Sequence, residues 1–81
     1  MKEVEVDAWD EDHIGYRVVD FDDTVYGVID DLDENGHIKD TLVINYTTGD
    51  EILDSELWKS IIIARARNAV TLKELLAEDT L

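Results

Sequence analysis

The uneven distribution of charge constrains this chain more than any other feature of its sequence. Residues 1–56 contain 18 Asp and Glu against three Lys and Arg, whereas residues 57–81 contain three acids and four bases. Self-repulsion on this scale opposes a compact state, so the acidic part needs an apolar core, a basic partner or both to offset it. We therefore interpret the chain as a single domain with an acidic body over about residues 1–56 and a near-neutral segment over about residues 57–81.

Composition limits the classes of fold and of function. A chain of 81 residues forms one small domain, and its 44% hydrophobic content argues against disorder. The absence of Cys excludes disulfides and thiolate chemistry. No apolar run is long enough for a membrane span, and no signal peptide is evident, so we expect a cytoplasmic protein, or one in the host cytoplasm if it is viral. Nucleic acids and anionic membranes would be repelled by the negative charge, so neither is an expected direct ligand.

Alternating and β-branched residues predict a mostly β fold. Five candidate strands cover residues 3–8, 16–21, 24–29, 41–47 and 51–53. The strongest turn signal is Asp33-Glu34-Asn35-Gly36, because Asn-Gly favours a tight hairpin. Short strands joined by such turns predict a small, mostly antiparallel barrel with a helix at its C-terminal end.

The C-terminal segment admits two interpretations. Residues 60–64 favour a short strand, since three consecutive Ile are β-branched, and a helix would then begin at Thr71 with Glu74 completing a capping box. The spacing of Leu57 and Ile61 instead fits one helix from about residue 55 to 78. We favour the strand followed by a helix, and the single helix is the alternative.

Residues 21–57 contain a series of sequence features in a characteristic order. These are a Tyr in a strand (Tyr26), an acidic Gly turn (residues 33–36), a strand ending at Tyr46, the triplet Gly49-Asp50-Glu51 and a closing Glu56-Leu57. In this order, residues 21–57 resemble the Tudor family. The resemblance implies a strongly bent, five-stranded antiparallel barrel that acts as an interaction module.

The same resemblance implies a candidate ligand site. Tudor domains hold methylated Lys or Arg in an aromatic cage through cation–π attraction. Carried over by position, the cage would comprise Phe21, Tyr26 and Tyr46, with Asp50 as the polar partner, and a fourth aromatic position falls near Thr48. The alternative interpretation places these three aromatic side chains in the core or at the rim of the barrel.

Residues 31–38 match the first eight positions of an EF-hand calcium loop, with Asp31, Asp33 and Asn35 as the candidate oxygen ligands. Position twelve, which should be a bidentate Glu, is Leu42, and the preceding segment is a predicted strand. An acidic hairpin turn explains the same residues, so we predict no metal and no cofactor. Without a His-x-x-x-His spacing, a phosphate-binding loop or a nucleophile motif, we also predict no enzymatic activity.

The favoured function is therefore a non-catalytic acidic binding protein that docks on a basic protein surface. It would act as a nucleic-acid mimic of the kind that phages encode and inhibit a DNA- or RNA-binding enzyme. The residues expected to contact this partner are Glu3, Glu5, Asp7, Asp10, Glu11, Asp12, Asp20, Asp22, Asp23, Asp30, Asp31, Asp33 and Glu34.

Other interpretations of the acidic surface remain open. The first alternative is a Tudor-like reader of basic or methylated Lys and Arg peptides. A second alternative is that the acidic surface has no partner and serves only solubility or adaptation to a high-salt habitat. The near-neutral segment is expected to pack on the barrel or to form a homodimer contact through Trp58, Ile61, Ile62 and Ile63.

Overall fold

A four-stranded antiparallel sheet followed by one helix makes up the fold in the computed structural model, which describes residues 1–67. The elements are β1 (Glu3–Trp9), β2 (His13–Val19), β3 (Val25–Leu32), β4 (Ile38–Asn45) and α1 (Ser55–Arg67). Each strand pairs with the next along the chain, so the sheet is a meander in the order β1-β2-β3-β4. The expectation of a mostly β fold with a following helix is confirmed.

The predicted five-stranded barrel is wrong. Strands β1 and β4 lie at opposite edges of the sheet and do not pair, so the sheet is not closed. The expected fifth strand is reduced to one bridge between Ile44 and Glu51, with Ile52 N–H donating to Val43 C=O at 2.9 Å. This return segment covers only part of the β4 edge, because the chain then leaves the sheet to enter α1.

Asp and Asn side chains build the turns between the strands. Asp33 Oδ1 accepts backbone N–H groups of Asn35 and His37, both at 2.9 Å, and Gly36 adopts a φ of 80°, which confirms the predicted hairpin turn. The turn joins β3 to β4 and therefore has strands, not the helices of an EF-hand, on both sides.

One face of the sheet, the core face, is formed by alternate residues of each strand. Its buried apolar side chains are Ile14, Tyr16, Val18, Tyr26, Val28, Leu32 and Val43. The helix contributes Ile61, whose side chain is completely buried against this set. The period-two pattern thus directs one half of each strand toward α1, and burial of this apolar surface is the main term that offsets the charge repulsion.

Helix α1 begins directly after Asp54, which caps it. Asp54 Oδ1 accepts the backbone N–H groups of Glu56 and Leu57, both at 3.0 Å. Residues 60–64 lie inside this helix, so the predicted short strand is wrong and the alternative start near residue 55 is right. Packing of Ile61 on the sheet overrides the β preference of the three Ile residues. The predicted helix start at Thr71 lies outside the described residues.

A buried ion pair joins α1 to the sheet. Asp30 is only 1% exposed on the core face, and its Oδ1 accepts a hydrogen bond from Thr41 Oγ1 at 2.7 Å. Arg65 Nε lies 3.5 Å from Asp30 Oδ2, which is ion-pair distance, yet neither atom makes a hydrogen bond within residues 1–67. Charge attraction, without an aligned hydrogen bond, therefore holds the Arg65 side chain against Asp30.

Candidate functional site

The face of the sheet opposite α1, here called the open face, carries a groove. All four strands contribute to its mainly apolar lining, which includes Ala8 of β1, Ile29 of β3 and Ile44 of β4. The groove has a volume of about 290 Å³. That volume lies at the lower limit of small-molecule pockets, which measure roughly 300–1,000 Å³, so the groove suits a single side chain.

Two glycines form the floor of this groove. A Cβ built on Gly15 would meet only the backbone of Ala8, at the ordinary contact distances of 3.5 and 4.0 Å, so it would fit without a clash. A Cβ on Gly27 would lie 3.1 Å from Ile44 Cγ1 and 3.4 Å from Tyr46 Cδ2. Gly27 therefore allows Ile44 and Tyr46 to lie close above the strand, whereas Gly15 leaves the space empty.

A carboxylate and a phenol meet at the rim. The pairing register of β1 with β2 shifts between Val6 and Ala8, and this bulge lies at Asp7. Tyr46 Oη donates a hydrogen bond to Asp7 Oδ2 at 3.0 Å, and this bond to a negative partner raises the pKa of Tyr46. Tyr46 is 47% exposed, so part of this residue is accessible to a ligand.

His13 connects two further carboxylates beside the groove. Its Nε2 lies 2.7 Å from Asp31 Oδ1, and its Nδ1 lies 3.3 Å from Asp10 Oδ1. Asp10 Oδ1 also accepts the backbone N–H groups of Asp12 and His13, at 2.8 and 2.9 Å. The bond from Asp12 N–H is the main reason that the pKa of Asp10 is lowered, and the His13 ring adds to it.

The β1–β2 and β3–β4 turns lie together at one end of the sheet, where Leu32 N–H donates to Asp12 C=O at 2.7 Å. We call this region the acidic end, and its acids are Asp10, Glu11, Asp12, Asp31, Asp33 and Glu34. The side chains of Glu11, Asp12 and Glu34 are exposed and make no hydrogen bond or ion pair with other residues of the described part, 1–67. Their charges are therefore available to a partner.

Several of the other predicted contact residues have structural partners instead. Asp23 pairs with Lys2, and Glu5 pairs with Arg17. Asp10, Asp22 and Asp33 accept backbone N–H groups within their turns, as does Asp20 from Phe21. Asp30 is buried and therefore cannot present its charge to a partner, contrary to the sequence-based expectation.

The structure does not bring the predicted cage residues together. Tyr26 pairs with Val18 and is buried on the core face, where burial is the main cause of its raised pKa. Tyr46 lies over Gly27 on the open face, and Phe21 is 74% exposed in the β2–β3 turn. Trp9 pairs with Ile14 and packs against the core, so it does not join Tyr46 on the open face. The period-two alternation of the strands separates the two Tyr side chains.

The four residues of the predicted homodimer contact differ in their exposure. Ile61 is fully buried against the sheet and is not available to a second chain. Ile63 and Trp58 are exposed on α1, and Ile62 packs partly against the core.

Comparisons with known proteins supply no relative. No protein-family model matches this sequence, and no significant match was found among curated proteins or solved structures. Within residues 1–67, no helix is long and apolar enough to cross a membrane. Nor do three or more His, Asp or Glu side chains converge on a shared metal position in that part of the chain.

Proposed function

We propose that this protein is a non-catalytic acidic binding protein that docks on a basic protein surface and acts as a nucleic-acid mimic. Its target would be an enzyme that binds DNA or RNA, and the acidic end would occupy the groove that normally receives phosphates. The observation that supports this is the group of unpaired, exposed carboxylates of Glu11, Asp12 and Glu34 in two adjacent turns.

The acidic end supports the proposal better than the carboxylate row of β1. Glu3, Glu5 and Asp7 follow one another along that strand, but Arg17 neutralises Glu5 and Tyr46 binds Asp7. At the acidic end, the charges lie in two hairpin turns next to the neighbouring strands β2 and β3, and neighbouring strands are about 4.8 Å apart in a sheet. Such a concentration of like charge attracts a basic groove over a long range, and the association should be fast and sensitive to salt.

Two triple variants with equal charge change test the proposal. The variant E11Q/D12N/E34Q removes the unpaired carboxylates of the acidic end. The control D50N/E51Q/E56Q removes three exposed carboxylates from the β4 return segment and the first turn of α1. Each immobilised protein is incubated with a lysate of the source organism at about 0.15 M salt and eluted with duplex DNA, since DNA competes for the groove that a mimic occupies.

We expect a basic DNA- or RNA-binding protein to be retained by the wild type and by the control variant and to be released by DNA. The acidic-end variant should retain at least tenfold less of this basic protein, because a loss of about 1.4 kcal/mol of binding free energy lowers the affinity tenfold. Equal retention by the two variants, or elution by salt but not by DNA, would contradict mimicry.

A second candidate is a Tudor-like reader of basic or methylated peptides. The observation that favours it is the exposed ring of Tyr46 beside the Asp7 carboxylate. A trimethyl-lysine peptide should then bind more tightly than the same peptide with unmodified Lys and should shift the NMR signals of the Tyr46 ring. Equal affinity of the two peptides would exclude recognition of the methyl groups, and absence of binding by both would exclude this function.

A further inference from the structure

We propose that the groove of the open face is an anchor site for one arginine side chain of the basic partner. The inference rests on the proposed function, because that function supplies the partner, and it adds a second point of contact beyond the acidic end. The site consists of the Gly15 and Gly27 floor, the Tyr46 ring and the Asp7 carboxylate.

The shape of the groove selects a long side chain with an apolar stem. Its lining is mainly apolar, and the absence of a side chain at Gly15 leaves the floor open where a Cβ would otherwise project. Helix α1 packs on the core face and so does not cover this opening. The methylene stem of a long side chain would bury apolar surface here while its charged end stays at the rim.

The charge at the rim selects a cation. Within residues 1–67, the ionisable side chains that line the groove are Asp7, Asp10, His13 and Tyr46, and this part of the chain contributes no Lys or Arg to the lining. Arg17, the nearest base along the open face of β2, is already paired with Glu5. Among residues 1–67, His13 lies against Asp10 and Asp31, whereas no Lys or Arg pairs with Asp7, so a cation in the groove would meet the Asp7 carboxylate.

Arginine fits the remaining geometry better than lysine. Tyr46 occupies Asp7 Oδ2, which leaves Oδ1 and the outer lone pairs of this carboxylate as acceptors. A planar guanidinium can donate to that carboxylate and at the same time stack on the ring of Tyr46, and it is more weakly hydrated than an ammonium group. The commitment to arginine is therefore open to a direct test against lysine.

The four glycines of the chain provide the readout. Gly15 and Gly27 form the groove floor, whereas Gly36 and Gly49 lie in exposed turns, and Gly36 belongs to the β3–β4 turn beside the acidic end. The protein labelled with ¹⁵N-glycine is titrated with N-acetyl-arginine amide, with the lysine analogue and with the neutral isostere N-acetyl-citrulline amide. Binding in the groove should shift Gly15 and Gly27, whereas diffuse attraction to the turns should shift Gly36 first.

We expect arginine to shift Gly15 and Gly27 and to bind about tenfold more tightly than citrulline, since charge-assisted hydrogen bonds are stronger than neutral ones. The D7N variant keeps an acceptor for Tyr46 but loses the charge, and it should bind arginine about fivefold more weakly. The matched control is E3Q, which removes a charge from the same strand at its other end, and it should bind as the wild type does.

Three results would overturn the anchor site. These are a response confined to Gly36, equal binding of citrulline and arginine, and equal binding of lysine and arginine. A Gly15→Ala variant, whose added methyl group fits without a clash, should also weaken arginine binding through loss of space. If arginine does not bind in the groove but a basic protein is still captured and released by DNA, the anchor site is wrong and the proposed function stands. If that capture is absent, the proposed function itself is wrong.

Discussion

The two faces of the sheet use the same strands for different purposes. On the core face, apolar side chains meet Ile61, and Asp30, the one buried carboxylate of the described residues 1–67, is held by Thr41 and Arg65. On the open face, Gly15 and Gly27 leave an unfilled groove with charges at its rim. Stability and recognition are thus separated by the period-two alternation, so changes on the core face should alter unfolding and changes on the open face should mainly alter binding.

The largest difference is expected between two isoleucines of α1, Ile61 and Ile63. Ile61→Ala removes a completely buried side chain and leaves a cavity against the core face, which should lower the free energy of unfolding by about 3.5 kcal/mol. Ile63 is 54% exposed, and Ile63→Ala should change stability by less than about 0.5 kcal/mol. Urea unfolding followed by circular dichroism measures both values. Similar losses in the two variants would show that α1 does not rest on the sheet through Ile61.

The buried ion pair should give the next largest effect. Arg65→Met leaves Asp30 as an uncompensated buried charge and should cost about 3 kcal/mol, the low end for such a loss because the pair lacks an aligned hydrogen bond. In the double variant D30N/R65M the charge is gone and Asn still accepts the Thr41 hydrogen bond, so most of the loss should be recovered. Unfolding of the two variants in urea measures this, and a double variant no more stable than R65M would contradict it.

The two groove glycines should differ by a smaller amount. Gly27→Ala brings a Cβ to 3.1 Å from Ile44 Cγ1, so this side chain must move and the protein should lose about 1 kcal/mol. Gly15→Ala makes ordinary contacts and reduces the freedom of the unfolded chain, so it should be neutral or stabilising by up to about 1 kcal/mol. Thermal unfolding distinguishes the two variants, and a destabilised Gly15→Ala would mean that the floor of the groove is already filled.

Four of the five predicted strands, with bounds that differ from the observed ones by up to three residues, and the β3–β4 turn were predictable because they depend on local patterns. The alternation along β1 and the residues Asp33 to Gly36 correctly indicate a strand and a hairpin. The helical state of residues 60–64 was not predictable from β propensity, since burial of Ile61 on a distant sheet decides it. Barrel closure likewise depends on long-range pairing of β1 with a fifth strand, which no local pattern specifies.

The candidate site was less predictable than the fold. Asp30 falls in period two with Val28 and Leu32, and that spacing was a signal that its carboxylate is buried. The groove depends on the strand register and the bulge at Asp7, which place Asp7 and Tyr46 together although they are 39 residues apart. Local geometry also decides whether an acidic side chain caps a turn or is available to a partner. Composition alone therefore overestimated the number of carboxylates that are available.

The smallest expected effect concerns the turn carboxylates at the ends of the strands. Backbone N–H groups of Asp12, Thr24 and His37 donate to the carboxylates of Asp10, Asp22 and Asp33 and are the main reason that the pKa of each is lowered. The pKa of each of these carboxylates is therefore lower in the folded chain than in the unfolded chain. Between the folded and the unfolded pKa, the unfolded chain binds more protons than the folded chain does. The stabilisation is therefore present above about pH 4 and is lost as the pH falls through the folded values.

The triple variant D10N/D22N/D33N isolates this effect, because Asn keeps the turn acceptors and does not titrate. The wild type carries three more negative charges near pH 6, so the pH dependence of the unfolding midpoint, rather than its absolute value, is the quantity to compare. Between pH 5 and pH 3 the wild-type midpoint should fall relative to that of the triple variant, and E11Q/D12N/E34Q, which leaves these turn caps intact, should follow the wild type. Solvent screening at exposed turns keeps the effect small. Parallel curves for the wild type and D10N/D22N/D33N would mean that the caps act equally in both protonation states, and the turn carboxylates would then belong with the free acidic surface rather than with the fold.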